Sequence, residues 1–293
     1  MLTVSSCKLL RLAKINRLHF MLPIFFTIII SIILAYFVLI FAFHGIHSTT
    51  LFEGSESFFV AVNISAIVAV SATSLLVFLH YFRKKPELAV RVFSAAFILS
   101  GILSTLLFAK LVFIYTNLEA PLILLIVALV TYVGAYFAYL IFVDSLSNRM
   151  KNLLFVVCSG ALGSFVGVIV PSLPVLGISL CLSLVDLVLI KRKTVAKFVG
   201  EAIYERMITQ VAFSSREWGI GIGDLTCYSI VVANTSLNFG FIAGGLSMLL
   251  ILAGSFLSLA ITLRIIRVPG LPLSLTLGIL PSIVISILHA PTL

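Results

Sequence analysis

The sequence predicts an all-α integral membrane protein with nine transmembrane helices. Of its 293 residues, 61% are hydrophobic and only 10% are charged, whereas a soluble domain carries roughly 25% charged residues. Its apolar runs are long and unbroken, which favours helices of about 20 residues over the short alternating strands of a membrane β-barrel. Basic residues recur between alternate runs, as expected if the chain crosses the membrane repeatedly.

Polar or proline-containing segments bound each predicted span. The nine spans are Leu18–His44, Phe58–Phe82, Val92–Tyr115, Pro121–Val143, Asn152–Val170, Leu173–Ile190, Trp218–Leu237, Phe239–Ile266 and Leu271–Leu288. We expect one polytopic membrane domain over 1–293. Within it, 1–190 holds spans one to six, 191–217 is a cytoplasmic amphipathic linker, and 218–293 holds spans seven to nine.

The distribution of charge predicts the orientation of the chain. The net charge is +9, and all but one of the 19 basic residues lie before span one, after spans two, four and six, or at the end of span eight. The opposite loops hold Glu53, Glu56 and Glu119 and neither lysine nor arginine. The positive-inside rule then places the N-terminus in the cytoplasm and the C-terminus outside. Because the basic residues follow the membrane, they indicate no nucleic-acid partner.

The four cysteines and five histidines are dispersed along the chain. None of their spacings matches a disulfide framework or a metal site. We therefore expect neither a bound metal nor a cofactor.

Two aspartates interrupt apolar segments, Asp186 near the end of span six and Asp224 near the start of span seven. An ionisable group at bilayer depth costs about 2.5–3.5 kcal/mol on insertion scales, so it indicates function. Helical rise puts Asp186 roughly 7.5 Å from the end of span six and, if the start of span seven is helical, Asp224 roughly 12 Å into that span. Both would lie in the cytoplasmic half of the membrane, on consecutive antiparallel helices, which are usually neighbours.

Two carboxyl groups that face each other in a low-dielectric site cannot both ionise at neutral pH, so the pair shares one proton. The ionised member can take a proton from water while the neutral member polarises a carbonyl oxygen, as in aspartic proteases. We predict this division of roles for Asp186 and Asp224, without a metal or a nucleophilic serine or cysteine.

Glycine and proline mark the segments beside these aspartates. Gly219, Gly221 and Gly223 alternate before Asp224. Each costs about 1 kcal/mol in a helix relative to alanine and permits close approach of another chain. Tight packing of span seven on span six is the alternative reason for these glycines. Before span nine, Pro269–Pro272 contains two prolines, which predict an extended backbone or a helix start with proline in its first turn.

Small residues also predict close contacts between helices. They form one cluster in span five and another at the start of span eight. The first contains Gly160, Gly163 and Gly167, and the second contains Gly240, Gly244 and Gly245.

Three separated motifs together resemble those of the presenilin and signal-peptide-peptidase family of intramembrane aspartyl proteases. They are Asp186-Leu187-Val188, Gly221-Ile222-Gly223-Asp224 and Pro269-Gly270-Leu271, in the order of the family's first aspartate, its Gly-x-Gly-Asp motif and its Pro-Ala-Leu motif. The residues after the second and third motifs are most similar to presenilin, and the compact chain resembles archaeal or other microbial homologues. Val185 stands where the family usually has tyrosine.

The resemblance implies a presenilin-like fold and an aspartic endopeptidase that cleaves peptide bonds within the membrane. It implies single-span membrane proteins or signal peptides as substrates, the lipid bilayer as surroundings, and no obligatory partner subunit. The site residues that it implies form two groups. The catalytic pair is Asp186 and Asp224, and the substrate-binding residues are Gly221, Gly223, Pro269, Gly270 and Leu271.

Three other functions stay open on the residues alone. Paired intramembrane carboxylates also serve as proton or cation sites in transporters and channels. A prepilin-type peptidase also uses Gly-x-Gly-Asp, although an aspartate inside span six fits it less well. A membrane scaffold without activity is the simplest alternative.

Overall fold

A computed structural model describes residues 17–43, 86–116, 120–192, 212–214, 219–264 and 271–288 of the chain. Eight helices and one two-stranded antiparallel sheet make up this part. In chain order they are α1 (Arg17–Phe43), α2 (Pro86–Thr116), α3 (Ala120–Phe142), α4 (Asn148–Ile169), α5 (Ser172–Arg192), β1 (Ala212–Ser214), β2 (Gly219–Gly221), α6 (Ile222–Phe239), α7 (Phe241–Arg264) and α8 (Leu271–Leu288).

Five of these helices, α1 to α4 and α7, are long and apolar enough to cross a membrane. The chain is therefore a multi-pass integral membrane protein. The helices α5, α6 and α8 coincide with predicted spans six, seven and nine, and α8 has the predicted bounds. Predicted span two, Phe58–Phe82, lies outside the described residues.

The start of predicted span seven is a strand and not a helix. Gly219–Gly221 forms β2 and pairs antiparallel with β1, with Ala212 opposite Gly221 and Ser214 opposite Gly219. Alternation of glycine with isoleucine has the period of a strand and a low helix propensity, so β pairing satisfies this backbone better than a helical turn. The helix begins at Ile222, so the condition for placing Asp224 about 12 Å into span seven, a helix from the start of the span, is not met.

The predicted linker 191–217 also differs at both ends. Helix α5 continues to Arg192, and β1 occupies Ala212–Ser214 near the end of the linker. The amphipathic helix predicted between them lies outside the described residues. The end of this linker therefore contains β1, the strand that pairs with β2.

Helix α6 lies at the centre of the fold. More than half of its residues are buried, and it packs against α1, α4, α5, α7 and α8. Its buried residues share one apolar core with side chains from all of these helices. That core contains Ile24, Ile28, Val156, Val175, Ile220, Leu225, Tyr228, Val231, Val232, Ile251, Leu275 and Ile279. A functional group on α6 is thus surrounded by the rest of the molecule.

Glycines let α4 approach its neighbours closely. A Cβ at Gly163 would overlap the Cβ of Ser229, and one at Gly167 would lie 2.6 Å from the carbonyl oxygen of Ile230. Gly160 allows a similar contact with α1. The close packing predicted for span five is confirmed.

The close packing predicted for the second glycine cluster, at the start of span eight, is confirmed only in part. A Cβ at Gly244 of α7 would overlap the side chain of Ser236 in α6. Gly245 has no atom of the described part of the chain within 4 Å of its Cβ position, so no close contact within that part requires glycine there. Gly240 adopts a φ of 89° at the end of α6, a left-handed conformation that glycine takes at no steric cost.

A buried amide fixes the end of α4. Asn234 of α6 donates from Nδ2 to the carbonyl oxygens of Gly167, at 2.9 Å, and Val170, at 2.8 Å. The last carbonyl groups of a helix lack hydrogen-bond partners within the helix, and the side-chain amide of Asn234 provides such partners inside the protein. Its two bonds tie the turn between α4 and α5 to the central helix.

Candidate active site

Asp224 lies in the first turn of the central helix. It is half-buried, and Gly221 is the N-cap residue of the same helix. The carboxylate lies against Gly221, because a Cβ built there would be 3.3 Å from Oδ1 and 3.4 Å from Cγ of Asp224. The N-terminal end of a helix carries partial positive charge, so this position stabilises a negative carboxylate.

Gly223 keeps the other side of this turn open. It is exposed, and a Cβ at this position would meet no atom of the described residues within 4 Å. The two glycines of the motif thus differ, since Gly221 makes room for the carboxylate of Asp224 while Gly223 borders open space.

Asp186 belongs to α5, the helix that precedes β1. The buried face of α5 is marked by Val175, Ser179 and Ser183, which recur every fourth residue and are each 4% exposed. Position 186 comes seven residues after Ser179, almost two turns, so helical periodicity puts it on the same face. That helix packs against α6 and α8. The side chain of Asp186 itself lies outside the described residues.

The hydroxyl of Ser183 is buried one turn before position 186. It has no hydrogen-bond partner among the described residues. A buried hydroxyl without a partner costs about 1–3 kcal/mol, so it suits a site that a water or a substrate carbonyl enters.

A sheet edge leads into the first turn of α6. Within the described residues, β2 pairs only with β1, and its last residue, Gly221, is the N-cap of α6. The second edge of β2 therefore carries backbone donors and acceptors that an added extended segment can pair with. This edge ends three residues before Asp224.

The third sequence motif lies at the start of α8. Leu271 is the first residue of that helix, and Pro272 follows in its first turn, where the missing N–H of proline costs nothing. The helix start that was one of the two interpretations of this segment is thus confirmed. Pro269, Gly270 and the side chain of Leu271 lie outside the described residues.

A buried hydroxyl cluster beside Asp224 was not predicted from the sequence. It consists of Tyr228 of α6, Ser255 of α7 and Ser274 of α8. Ser255 Oγ donates to Ser274 Oγ over 3.0 Å, and the hydroxyl of Tyr228 lies within hydrogen-bonding reach of both serines. Small residues of span eight, Ser247, Gly254 and Ser258, recur on one side of an otherwise apolar helix. This spacing indicates that another helix packs there, but it does not identify the three hydroxyl groups.

The described residues contain no group of three or more His, Cys, Asp or Glu side chains that could hold a metal ion. The chemistry that this part of the chain offers is that of a carboxylate at a helix start, next to a sheet edge and a buried hydroxyl. Such a set can hold a water molecule and move its proton without a Lewis acid.

Two solved structures have the same fold along almost the whole chain. Both are structures of a presenilin family intramembrane aspartate protease, one in a C222 and one in a P2 crystal form. Each aligns with 94% of this chain, which spans 100% and 99% of theirs, with TM-scores of 0.55 and 0.59 and sequence identities of 17% and 18%. No family model and no curated protein matches the chain. The chain thus has a presenilin-like fold.

Proposed function

We propose that this chain is an intramembrane aspartyl protease, an aspartic endopeptidase of the Gly-x-Gly-Asp type, with Asp186 and Asp224 as its catalytic pair. The observation that carries the proposal is the position of Asp224. It lies in the first turn of the central helix, its carboxylate rests on Gly221, and the surrounding fold is that of presenilin family intramembrane aspartate proteases. A carboxylate within a membrane-spanning segment is costly to insert, which indicates that it is retained for chemistry.

Asp186 is the partner because of its place on α5. Position 186 continues the face of α5 that holds Ser179 and Ser183 and packs toward α6 and α8. Two carboxyl groups on facing helices inside a membrane hold one proton between them. The hydroxyl of Ser183, which has no hydrogen-bond partner among the described residues, adds a buried polar atom one turn before position 186.

The reaction is hydrolysis of a peptide bond by a water held between the carboxyl groups. The ionised aspartate takes a proton from the water as its oxygen bonds to the carbonyl carbon, and the protonated aspartate gives its proton to the carbonyl oxygen. When the resulting tetrahedral intermediate collapses, the C–N bond breaks and the leaving nitrogen receives a proton. The products are a carboxylic acid and an amine, and the pair again holds one proton.

The substrate class is the transmembrane helix of a single-span protein or signal peptide. A helix shields its carbonyl carbons with its own hydrogen bonds, so the substrate must become extended before water can attack. The free edge of β2 offers backbone partners to such an extended segment, and the open space at Gly223 lets its backbone approach Asp224. We assign Gly221 and Gly223, together with Pro269, Gly270 and Leu271, to the substrate-binding cleft.

The remaining topology follows the charge pattern of the sequence. We propose nine spans in one polytopic domain, an N-terminus in the cytoplasm and a C-terminus outside. The catalytic pair would then lie toward the cytoplasmic side, and the enzyme would act without an obligatory partner subunit. No observation favours the transporter alternative.

The test uses the purified full chain in liposomes with a single-span substrate, in water enriched in ¹⁸O. We expect cleavage with one labelled oxygen in the new carboxyl terminus, and loss of cleavage below detection in Asp186→Asn and in Asp224→Asn. Both variants keep the shape of the side chain, and their thermal midpoints should match or exceed that of the wild type. Cleavage by either variant at the wild-type rate would rule out the pair, and a proton flux lost in Asp224→Asn without any cleavage would favour a transporter.

A further inference from the structure

The hydroxyl cluster of Tyr228, Ser255 and Ser274 joins three helices at one point. Tyr228 and Ser255 are each 3% exposed and Ser274 is 0% exposed. Each hydroxyl can donate one hydrogen and accept another, so the three can satisfy one another without a water molecule. Polar contacts of this kind hold membrane helices together at defined points.

The cluster holds the first turn of α8. Ser274 is the fourth residue of that helix, which begins at Leu271. A Cβ at Gly254 of α7 would lie 2.7 Å from Cα of Ser274 and 3.0 Å from the carbonyl oxygen of Leu273. The backbones of α7 and α8 therefore touch at this level, and the hydroxyl of Tyr228 binds both helices to α6.

The same cluster lies next to Asp224. Tyr228 follows Asp224 by four residues, so their Cα atoms are about 6 Å apart along one side of α6. A shift of the first turn of α8 would thus be a shift relative to the carboxylate of Asp224.

A second hydroxyl pair joins α6 to α8 far from Asp224. Thr235 Oγ1 and Ser282 Oγ are buried and 2.8 Å apart. Thr235 follows Asp224 by eleven residues, a rise of about 16 Å along α6. The two contacts have the same chemistry and join the same two helices, and they differ in their distance from Asp224.

We propose that Tyr228 is a positioning residue, which holds the start of α8 in register with Asp224 through its hydrogen bonds to Ser255 and Ser274. This inference rests on the proposed protease function and deepens it. The hydroxyl of Tyr228 takes no part in proton transfer. It fixes the width of the site between Asp224 and the segment of α8 that follows Leu271.

The experiment is a double-mutant cycle of Tyr228→Phe and Ser274→Ala in the full chain. Rates are divided by the number of molecules that bind an aspartyl transition-state analogue, which excludes unfolded protein. We expect each single variant to lower kcat about three- to tenfold with KM within about twofold, the effect of one lost hydrogen bond in the transition state. Because both changes break the contact between Tyr228 and Ser274, the loss in the double variant should be smaller than the product of the two single losses.

The matched control is the cycle of Thr235→Val and Ser282→Ala. This pair should lower the thermal midpoint while kcat stays within about twofold of wild type. The inference is overturned if Tyr228→Phe keeps the wild-type kcat, if its loss equals that of the control pair, or if the losses of Tyr228→Phe and Ser274→Ala multiply. The proposed function is tested separately, by cleavage in the wild type and its loss in Asp224→Asn. A wild type that cleaves no substrate would overturn the proposed function and, with it, the positioning role of Tyr228.

Discussion

Replacing Gly221 with alanine tests how closely the backbone of the Gly-x-Gly-Asp segment fits the carboxylate of Asp224. The new Cβ would lie 3.3 Å from Oδ1, 3.4 Å from Cγ and 3.5 Å from Oδ2. Non-bonded carbon contacts prefer about 3.5–4.0 Å, so the carboxylate must move by a few tenths of an ångström. The backbone of Gly221, with φ −60° and ψ 137°, is open to alanine, so no strain arises there.

The size of the effect follows from that displacement. A misplacement of 1 Å costs about 10²-fold in rate, so a shift of 0.3–0.5 Å costs roughly four- to tenfold. We expect kcat on a single-span substrate to fall by this factor. The folded protein should change little, since alanine in place of glycine at an N-cap costs no more than about 1 kcal/mol.

The assay measures kcat, KM and the thermal midpoint of Gly221→Ala in liposomes. Gly245→Ala is the matched control, since it adds the same methyl group where no atom lies within 4 Å. The control should keep kcat within about twofold and raise the thermal midpoint, as expected for alanine in a helix. A Gly221→Ala protein that is folded and keeps the wild-type kcat would show that Asp224 does not act from this position.

The remaining predictions concern substrate binding and packing. Gly223→Ala leaves Asp224 in place and narrows the open space beside it. The KM should therefore rise, or the cleavage position should move, while the thermal midpoint stays unchanged. An unchanged KM with unchanged products would show that Gly223 is not part of the cleft. Gly163→Ala forces α4 away from α6 and should cost about 1–3 kcal/mol of stability, measured against Gly177→Ala, which meets no atom within 4 Å. Asn234→Leu removes two hydrogen bonds from the end of α4 and should speed hydrogen exchange around Gly167–Val170; unaltered exchange there would contradict the anchoring role.

The bounds of most spans could be predicted because the lipid imposes a simple rule on the sequence. An apolar run ends where the chain leaves the membrane, and α3 and α8 begin and end within one residue of the predicted bounds. The start of span seven could not be predicted in this way. Gly219–Gly221 is apolar in composition, but its backbone pairs with β1, and strand pairing depends on a segment elsewhere in the chain.

The candidate site could be predicted only for residues whose type is costly in a membrane. Asp186 and Asp224 are recognisable because a carboxylate in a membrane-spanning segment has a high insertion cost, which indicates a function. Serine and tyrosine carry no such signal, since hydroxyls are common in membrane helices and their burial depends on which helices meet. For that reason Tyr228, Ser255 and Ser274 became visible only when α6, α7 and α8 were seen to converge.

Proximity of Asp186 and Asp224 is the central claim, and cysteine cross-linking measures it most directly. The four native cysteines are replaced by alanine, and Asp186→Cys is combined with Asp224→Cys in the full chain. The positive control combines Thr235→Cys with Ser282→Cys, positions whose native hydroxyls are 2.8 Å apart. Cysteines cross-link through a disulfide when their Cα atoms are about 4.4–6.8 Å apart, and a short bifunctional thiol reagent extends this reach.

We expect an intramolecular cross-link between positions 186 and 224 in membranes, identified by mass spectrometry of the linked peptides. It should form at a rate comparable to that of the control pair. If the control pair cross-links and positions 186 and 224 yield only singly labelled peptides, the two aspartates do not share a site and the protease mechanism is wrong.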